Sequence, residues 1–270
     1  RFAELLIQAD IRRGERVLIV LPDTPPFAWT FFGTLHRGAV VAMGNPDSPF
    51  EQLAYLVRYT RATAIITVPK VADPLALAFA QSPESYEEVR RVWVVADVPT
   101  GGDAEGPVNC PPAKRFSSLA VDLSAAAPLE RAPEVHRDEP AIWLFTSGST
   151  GEPKANVHAH RDFAFNTEVY AKATVGYRPD DVTVSVPRLF FGYATGTNLM
   201  FPFAVGATAG LFSERPTPEA LTHAIAMYRP TVVTNVPTML GKLLEHDTQL
   251  RAKGEGGLDL SSVRFSLSAG

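Results

Sequence analysis

The hydrophobic positions of this chain fall into short, often β-branched runs that alternate with helix-like segments. In the first hundred residues the predicted strands are Val17 to Leu21, Val40 to Met43, Ala64 to Val68 and Val92 to Ala96. The predicted helices between them include Phe27 to His36 and Glu51 to Tyr59, where apolar side chains recur at helical spacing. Strands that alternate with helices are typical of βαβ units, so we predict a parallel sheet.

The same alternation returns in the second half of the chain. The predicted strands there are Ala141 to Phe145, Val182 to Val186, Ala207 to Leu211, Thr231 to Asn235 and Val263 to Leu267. The predicted helices include Pro218 to Tyr228 and Pro237 to His246. We therefore predict an α/β protein with two doubly wound sheets.

Residues 99–137 separate the two halves. This segment is rich in Pro, Gly, Ala and Ser and has no sustained period, apart from a short piece around Phe116 to Leu123. We interpret it as a connection between a first subdomain at 1–98 and a second at 138–270. The first residues are predicted to lie inside a helix, and Ser268-Ala269-Gly270 directly follow a predicted strand, so we expect the functional unit to be longer.

Composition and charge exclude several classes of protein. The 25 Lys and Arg residues against 29 Asp and Glu give a net charge of -4, which does not attract a nucleic acid. No apolar run approaches the roughly 20 residues of a membrane-spanning helix, and the first residues have the pattern of an amphipathic helix. Cys110 is the single cysteine, so there is no disulfide framework. We predict a globular cytoplasmic protein without a membrane or nucleic-acid partner.

The candidate chemistry begins where the strand at Phe145 runs into Thr146-Ser-Gly-Ser-Thr-Gly-Glu-Pro-Lys154. Glycines let the backbone approach an anion, and Ser and Thr hydroxyls add donors for phosphate oxygens. The run is not a Walker A loop, because two residues separate Gly151 from Lys154. A ligand-free turn is the alternative that composition alone favours. The ordered combination, expected between a strand and a helix, favours a polyphosphate site.

This run resembles the Thr-Ser-Gly-Ser/Thr-Thr-Gly-x-Pro-Lys signature of the adenylate-forming superfamily, with Ala155 where the family usually has Gly. The resemblance implies the fold of the superfamily's N-terminal domain and a set of ATP phosphate-binding residues. These are Thr146, Ser147, Gly148, Ser149, Thr150, Gly151 and Lys154. The next residues, Val157-His158-Ala159-His160, resemble the family's continuation into a helix. For the two histidines we favour hydrogen bonding at the helix start over metal ligation.

A second unusual stretch, Arg188 to Gly196, combines three aromatic residues with three small ones. Such a stretch suits a flat ligand pocket or, equally, a packed core loop. It is similar to the Leu-Phe-Phe-Ala-Tyr-Gly-x-Gly segment of the benzoate-CoA ligase branch. The similarity continues through Phe201-Pro202, Val205 to Thr208 and Glu214 to Pro218.

The resemblance implies that Phe191, Gly192 and Tyr193 contact an aryl substrate. Gly192 stands where the branch has Ala, and the missing methyl group predicts room for an amino or hydroxyl substituent on the ring. Phe190 or Phe191 matches the aromatic residue that borders the path to the thiol.

Three further positions follow from the resemblance. Ser268, Ala269 and Gly270 match the start of the segment that flanks the adenine. Val236-Pro237-Thr238 matches a helix start near the acyl pocket, where Asn235 either caps the helix or faces the ligand. The family's magnesium-binding glutamate, ribose-binding aspartate and catalytic lysine have no match in these residues, so we assign no catalytic residue and no metal ligand.

The implied activity is that of an AMP-forming aryl-acid:coenzyme A ligase, with ATP, Mg²⁺ and coenzyme A and with a benzoate, aminobenzoate or hydroxybenzoate as the acid. Two alternatives stay open. One is an aryl adenylation enzyme that loads a carrier protein, and the other is a noncatalytic module that binds a nucleotide or an aryl acid. The oligomeric state also stays open, with a homodimer as one alternative.

Overall fold

The computed structural model describes residues 1–98, 102, 106–131, 133–146 and 152–269. The chain separates into two compact units, residues 1–162 and residues 163–270. Each unit has its own sheet and is described by itself.

In the described part of the first unit, seven strands form one sheet. They are β1 Arg16–Val20, β2 Val40–Met43, β3 Ala64–Thr67, β4 Arg91–Val94, β5 Phe116–Ser118, β6 Pro140–Thr146 and β7 Lys154–Ala159. Their order across the sheet is β5-β4-β3-β1-β2-β6-β7. Neighbouring strands are parallel, except that β7 pairs antiparallel with β6.

The first unit's helices connect these strands. They are α1 Phe2–Gln8, α2 Pro25–Arg37, α3 Phe50–Thr60, α4 Pro69–Gln81 and α5 Leu119–Ala125, with a 3-10 turn at Pro83–Tyr86. Helix α2 begins with two prolines and ends at Gly38, whose φ of 76° is left-handed. The core lies between helices and sheet, where Trp93 is buried with Phe2 against its edge at 5.3 Å between ring centroids.

In the described part of the second unit, four parallel strands form the sheet in the order β11-β10-β8-β9. They are β8 Val182–Ser185, β9 Thr208–Ala209, β10 Val232–Asn235 and β11 Phe265–Ser268. Helix α6 His160–Asn166 starts in the first unit and continues as a π-helix over Thr167–Val175. The other helices are α7 Gly192–Thr195, a π-helix at Gly196–Met200, α8 Phe201–Val205, α9 Pro218–Tyr228 and α10 Pro237–Ala252.

Two apolar clusters cover this second sheet. Val184 packs with side chains of α9 and α10, including Leu221 and Leu243. Val232 packs with Tyr177 and Phe201. None of the helices in the described ranges combines the length and the apolar character that a bilayer crossing requires.

The predicted α/β class with two parallel-rich sheets is confirmed. The placement of the strand at Ala141 to Phe145 in the second sheet is wrong. This strand pairs with β2 through Val41 and Ala42, so it belongs to the first sheet. The bond from the Arg13 guanidinium to the Glu139 carboxylate also joins the start of β6 to the first unit.

Residues 99–137 contain more regular structure than a simple connection. The short piece singled out in the sequence forms β5 and α5, and β5 adds a parallel strand beside β4. The predicted division at residue 138 therefore differs from the boundary between the compact units, which falls after residue 162. A further difference is that a strand, and not a helix, follows Lys154.

A buried carboxylate forms hydrogen bonds to residues next to three strands of the second sheet. Asp181, which is 2 % exposed, accepts hydrogen bonds from the Thr231 hydroxyl at 2.6 Å, the Arg178 N–H at 2.8 Å and the Arg264 guanidinium at 2.7 Å. Burial acts to raise the pKa of this carboxyl, but the three donors outweigh it and hold the pKa below its usual range. Its stabilising contribution is therefore complete at neutral pH and is lost as the pH falls through the lowered pKa.

We expect Asp181→Asn to lower the free energy of unfolding at pH 7 by about 3 kcal/mol, because Arg264 loses its charged partner. Urea denaturation at pH 7 measures this loss, and the difference from wild type should narrow in acid. The control is Glu168→Gln, which removes an exposed ion pair with Lys172 and should change stability little. A loss no larger than that of the control would contradict the role of Asp181.

Candidate functional site

The first and last residues of the predicted phosphate-binding run lie on two antiparallel strands of a β-hairpin. Strands β6 and β7 are antiparallel, and Thr146 and Lys154 form the last registered pair between them. Both side chains are exposed. The hairpin thus brings together the first and last members of the predicted set. Ser147, Gly148, Ser149, Thr150 and Gly151 lie outside the described residues.

Two tyrosines of α3, which no sequence motif indicated, contact this hairpin. The Tyr55 hydroxyl of α3 donates to the Pro153 carbonyl at 3.2 Å, one residue before Lys154. Tyr55 stacks on Tyr59 at 5.4 Å between ring centroids, and Tyr59 meets the Phe145 ring of β6 at 6.0 Å. Their i, i+4 spacing, on a face of α3 that the apolar residues leave free, was the available signal.

The start of α6 is organised by an aspartate. Asp162 accepts the Ala159 N–H at 2.9 Å, and His158 approaches the same carboxylate at 3.4 Å. The helix-start bonding expected of the two histidines therefore involves His158. The ring of His160 is partly buried, and burial lowers its pKa. Its Nε2 has no hydrogen-bond partner among the described residues.

In the second unit, the remaining predicted residues follow the carboxyl ends of three adjacent parallel strands. Phe191, Gly192 and Tyr193 come after β8, Asn235 ends β10, and Ser268 ends β11 with Ala269 behind it. Asn235 and Ser268 are registered partners. In open α/β sheets this edge is where ligands bind. Gly270 lies outside the described residues.

The predicted aryl-contact residues form the entrance to a helix. Phe191 is 53 % exposed, and its ring lies 4.6 Å from that of Phe190. Gly192 and Tyr193 are the first two residues of α7. Tyr193 is half-buried, and burial together with Tyr170 raises the pKa of its phenol. Its hydroxyl therefore stays protonated at neutral pH and is able to donate a hydrogen bond.

Buried polar contacts hold this helix on the sheet. The Thr183 hydroxyl donates to the side-chain Oδ1 of Asn198 at 2.6 Å, and the side-chain Nδ2 of Asn198 donates to the Gly210 carbonyl at 3.3 Å. Asn235 accepts the Val236 N–H at 3.0 Å, but no side chain caps α10. The expected capping role of Asn235 is therefore limited to the backbone just before that helix.

A cavity of about 630 Å³ opens elsewhere in the first unit, among Phe2, Trp29, Phe32, His36 and Leu123. No predicted site residue lines it. Among the described residues, no group of three His, Cys, Asp or Glu side chains is placed to hold a metal ion.

Comparison with known proteins gives a consistent relationship. The sequence pattern of the AMP-binding enzymes matches residues 1–270. The benzoate-CoA ligase of Thauera aromatica is 32 % identical over 250 residues, which are 90 % of this chain and 44 % of that enzyme. The 4-hydroxybenzoate-CoA/benzoate-CoA ligase of Rhodopseudomonas palustris is 28 % identical over 90 % of this chain and 42 % of its own length. The chain thus spans less than half the length of these relatives.

Among solved structures, the anthranilate CoA ligase AuaEII in complex with anthranoyl-AMP is similar over 99 % of this chain and 47 % of its own. The TM-score is 0.82 and the sequence identity 25 %. The likeness supports the observed two-sheet architecture.

We expect Tyr55→Phe to loosen the Lys154 side of the hairpin, because the Pro153 carbonyl loses its donor. Hydrogen–deuterium exchange of a peptide covering residues 153–157 should become about fivefold faster, as expected for one hydrogen bond. Tyr59→Phe removes the other hydroxyl of the pair and keeps the ring contacts, so its exchange should match that of wild type. Equal exchange in the two variants would show that the Tyr55 bond does not hold the hairpin.

Proposed function

Because the chain belongs to the AMP-binding enzymes, we propose that the full-length protein is an AMP-forming ligase that joins an aromatic carboxylic acid to coenzyme A. The observation that carries the proposal is the hairpin whose last residue pair, Thr146 and Lys154, encloses the Ser-Gly-Ser-Thr-Gly sequence. The position of Gly192 and Tyr193 at the carboxyl edge of the second sheet supports an acid site there.

The proposed reaction has two steps. A carboxylate oxygen of the acid attacks the α-phosphorus of ATP, the bond to the β-phosphate breaks, and pyrophosphate leaves with its electron pair. The thiol of coenzyme A then attacks the carbonyl carbon of the acyl-adenylate, loses its proton and expels AMP. Such reactions depend mainly on positioning and on neutralising negative charge.

The residue roles follow from this scheme. Thr146 and Lys154, together with Ser147, Gly148, Ser149, Thr150 and Gly151, would hold the departing pyrophosphate. Ser268, Ala269 and Gly270 would flank the adenine, and Phe191, Gly192 and Tyr193 would contact the aryl ring. Mg²⁺ would be bound mainly by the phosphate oxygens of ATP together with one or two carboxylates, and no residue of this chain is assigned to it.

We propose a substituted benzoate as the substrate class. The relatives named above are ligases of benzoate, 4-hydroxybenzoate and anthranilate. Gly192 supports a ring substituent, since a glycine leaves the space that a methyl group would fill.

We expect Lys154→Ala in the full-length protein to lower kcat/KM for acid-dependent exchange of pyrophosphate into ATP about a hundredfold. The reason is that the negative charge on the departing pyrophosphate loses the lysine that neutralises it in the transition state. The matched control is Lys114→Ala, which removes an exposed lysine of the same unit that is not part of the hairpin. Exchange that is unchanged in Lys154→Ala would exclude this hairpin from the mechanism.

A second experiment tests the acid. The wild-type protein is expected to turn over aminobenzoates or hydroxybenzoates better than benzoate, and Gly192→Ala should reduce that preference about tenfold, as one methyl group in a pocket does. Gly241→Ala is the control, because its added methyl group meets nothing within 4 Å. Pyrophosphate release over the panel of acids measures both effects. Turnover of benzoate that equals or exceeds that of the substituted acids would contradict the proposal.

The same assays separate the alternatives. Transfer to a carrier protein in place of free coenzyme A would identify an adenylation enzyme with a different acceptor. Binding of nucleotide or acid without formation of acyl-AMP would identify a noncatalytic module.

A further inference from the structure

The helix that carries Tyr193 is wound more widely in its middle than at its ends. It is α-helical over Gly192–Thr195, π-helical over Gly196–Met200 and α-helical again over Phe201–Val205. The Phe201 N–H donates to the Gly196 carbonyl, five residues earlier. Short π-helical turns are rare and are found frequently at functional sites.

This winding leaves the Thr197 carbonyl without a donor from its own helix. In regular α winding its donor would be the Phe201 N–H, which is already bound to Gly196. In π winding the donor would be residue 202, but Pro202 has no N–H. A buried carbonyl without a partner is costly, so the donor must come from another element.

That donor is Tyr177, which follows the helix ending at Val175. Its hydroxyl donates to the Thr197 carbonyl at 2.9 Å. The Tyr177 side chain is buried, and burial raises the pKa of the phenol, so the donor keeps its proton throughout the physiological range. The centroid of the Phe201 ring lies 6.0 Å from that of the Tyr177 ring. The Phe201 ring also packs on Gly196, where an added Cβ would come within 2.9 Å of a Phe201 ring atom.

The same turn is bonded to Tyr193. The Thr197 hydroxyl donates to the Tyr193 carbonyl at 3.0 Å, one turn earlier in the helix. A continuous chain of contacts therefore runs from the Tyr177 hydroxyl through both polar groups of Thr197 to the backbone of Tyr193. Any shift of the wide turn would move Tyr193.

We infer that Tyr177 is a positioning residue for the aryl-acid site: its hydroxyl fixes the wide turn and thereby the place of Tyr193 at the carboxyl edge of the second sheet. This inference rests on the proposed function, since Tyr193 is assigned to the aryl ring there. Tyr177 acts through Thr197 and has no contact with the reacting atoms in this scheme.

The test is Tyr177→Phe in the full-length protein. The KM for the preferred aromatic acid should rise about tenfold, as expected when one buried carbonyl loses its partner, while the KM for ATP stays unchanged. The matched control is Tyr228→Phe in α9. It removes the same kind of bond, from a tyrosine hydroxyl to the Leu211 carbonyl at 2.5 Å, within the same unit. The control should lose stability without a change in the KM for the acid.

A second variant tests the cause. Pro202→Ala restores a backbone N–H five residues after Thr197, so the double variant Tyr177→Phe/Pro202→Ala should recover part of the acid affinity. An unchanged KM for the acid in Tyr177→Phe, or an equal rise in the KM values for the acid and for ATP, would overturn the inference about Tyr177. Wild-type activity with aromatic acids would in that case still support the proposed ligase function. A wild-type protein inactive with every aromatic acid would contradict both.

Discussion

The antiparallel pairing of β6 and β7 is the interaction on which the candidate phosphate site depends. It fixes Thr146 and Lys154 opposite each other, so that both ends of the hydroxyl-rich run have defined positions. Strand β6 is itself held by β2, and the Tyr55 bond to Pro153 holds the other side of the hairpin. The proposed grip on pyrophosphate is thus built on the core of the first sheet.

Most of the parallel strands were predicted from the sequence, because they are short apolar runs. Strand β5, which has three residues, was not predicted as a strand. Val40 to Met43 and Pro218 to Tyr228 were predicted with the bounds that the structure has. The neighbour of each strand in the sheet could not be predicted in the same way, because paired residues such as Val41 and Ile142 lie far apart in the sequence. Strand β7 was missed because it lies at the sheet edge and all six of its residues are partly or fully exposed, which leaves no apolar alternation to detect.

The candidate site was predictable where it depends on a motif and not where it depends on bonds to the backbone. Thr146, Lys154 and Tyr193 were found from residue order and resemblance. Tyr55 and Tyr177 were missed, because each acts through one hydroxyl on a carbonyl whose need for a donor is set by tertiary structure. The roles of all these residues, the magnesium ion and the cytoplasmic location remain predictions.

The wide turn at Gly196–Met200 also affects how this chain aligns with its relatives. Each residue turns an α-helix by about 100°, and the i→i+5 bonding of a π turn takes up one residue more than the i→i+4 bonding of an α turn. Deleting one residue from this stretch is therefore expected to restore regular winding while the helix on either side keeps its orientation. A homologue one residue shorter here would still present Tyr193 at the carboxyl edge, and its alignment gap belongs within Gly196–Met200.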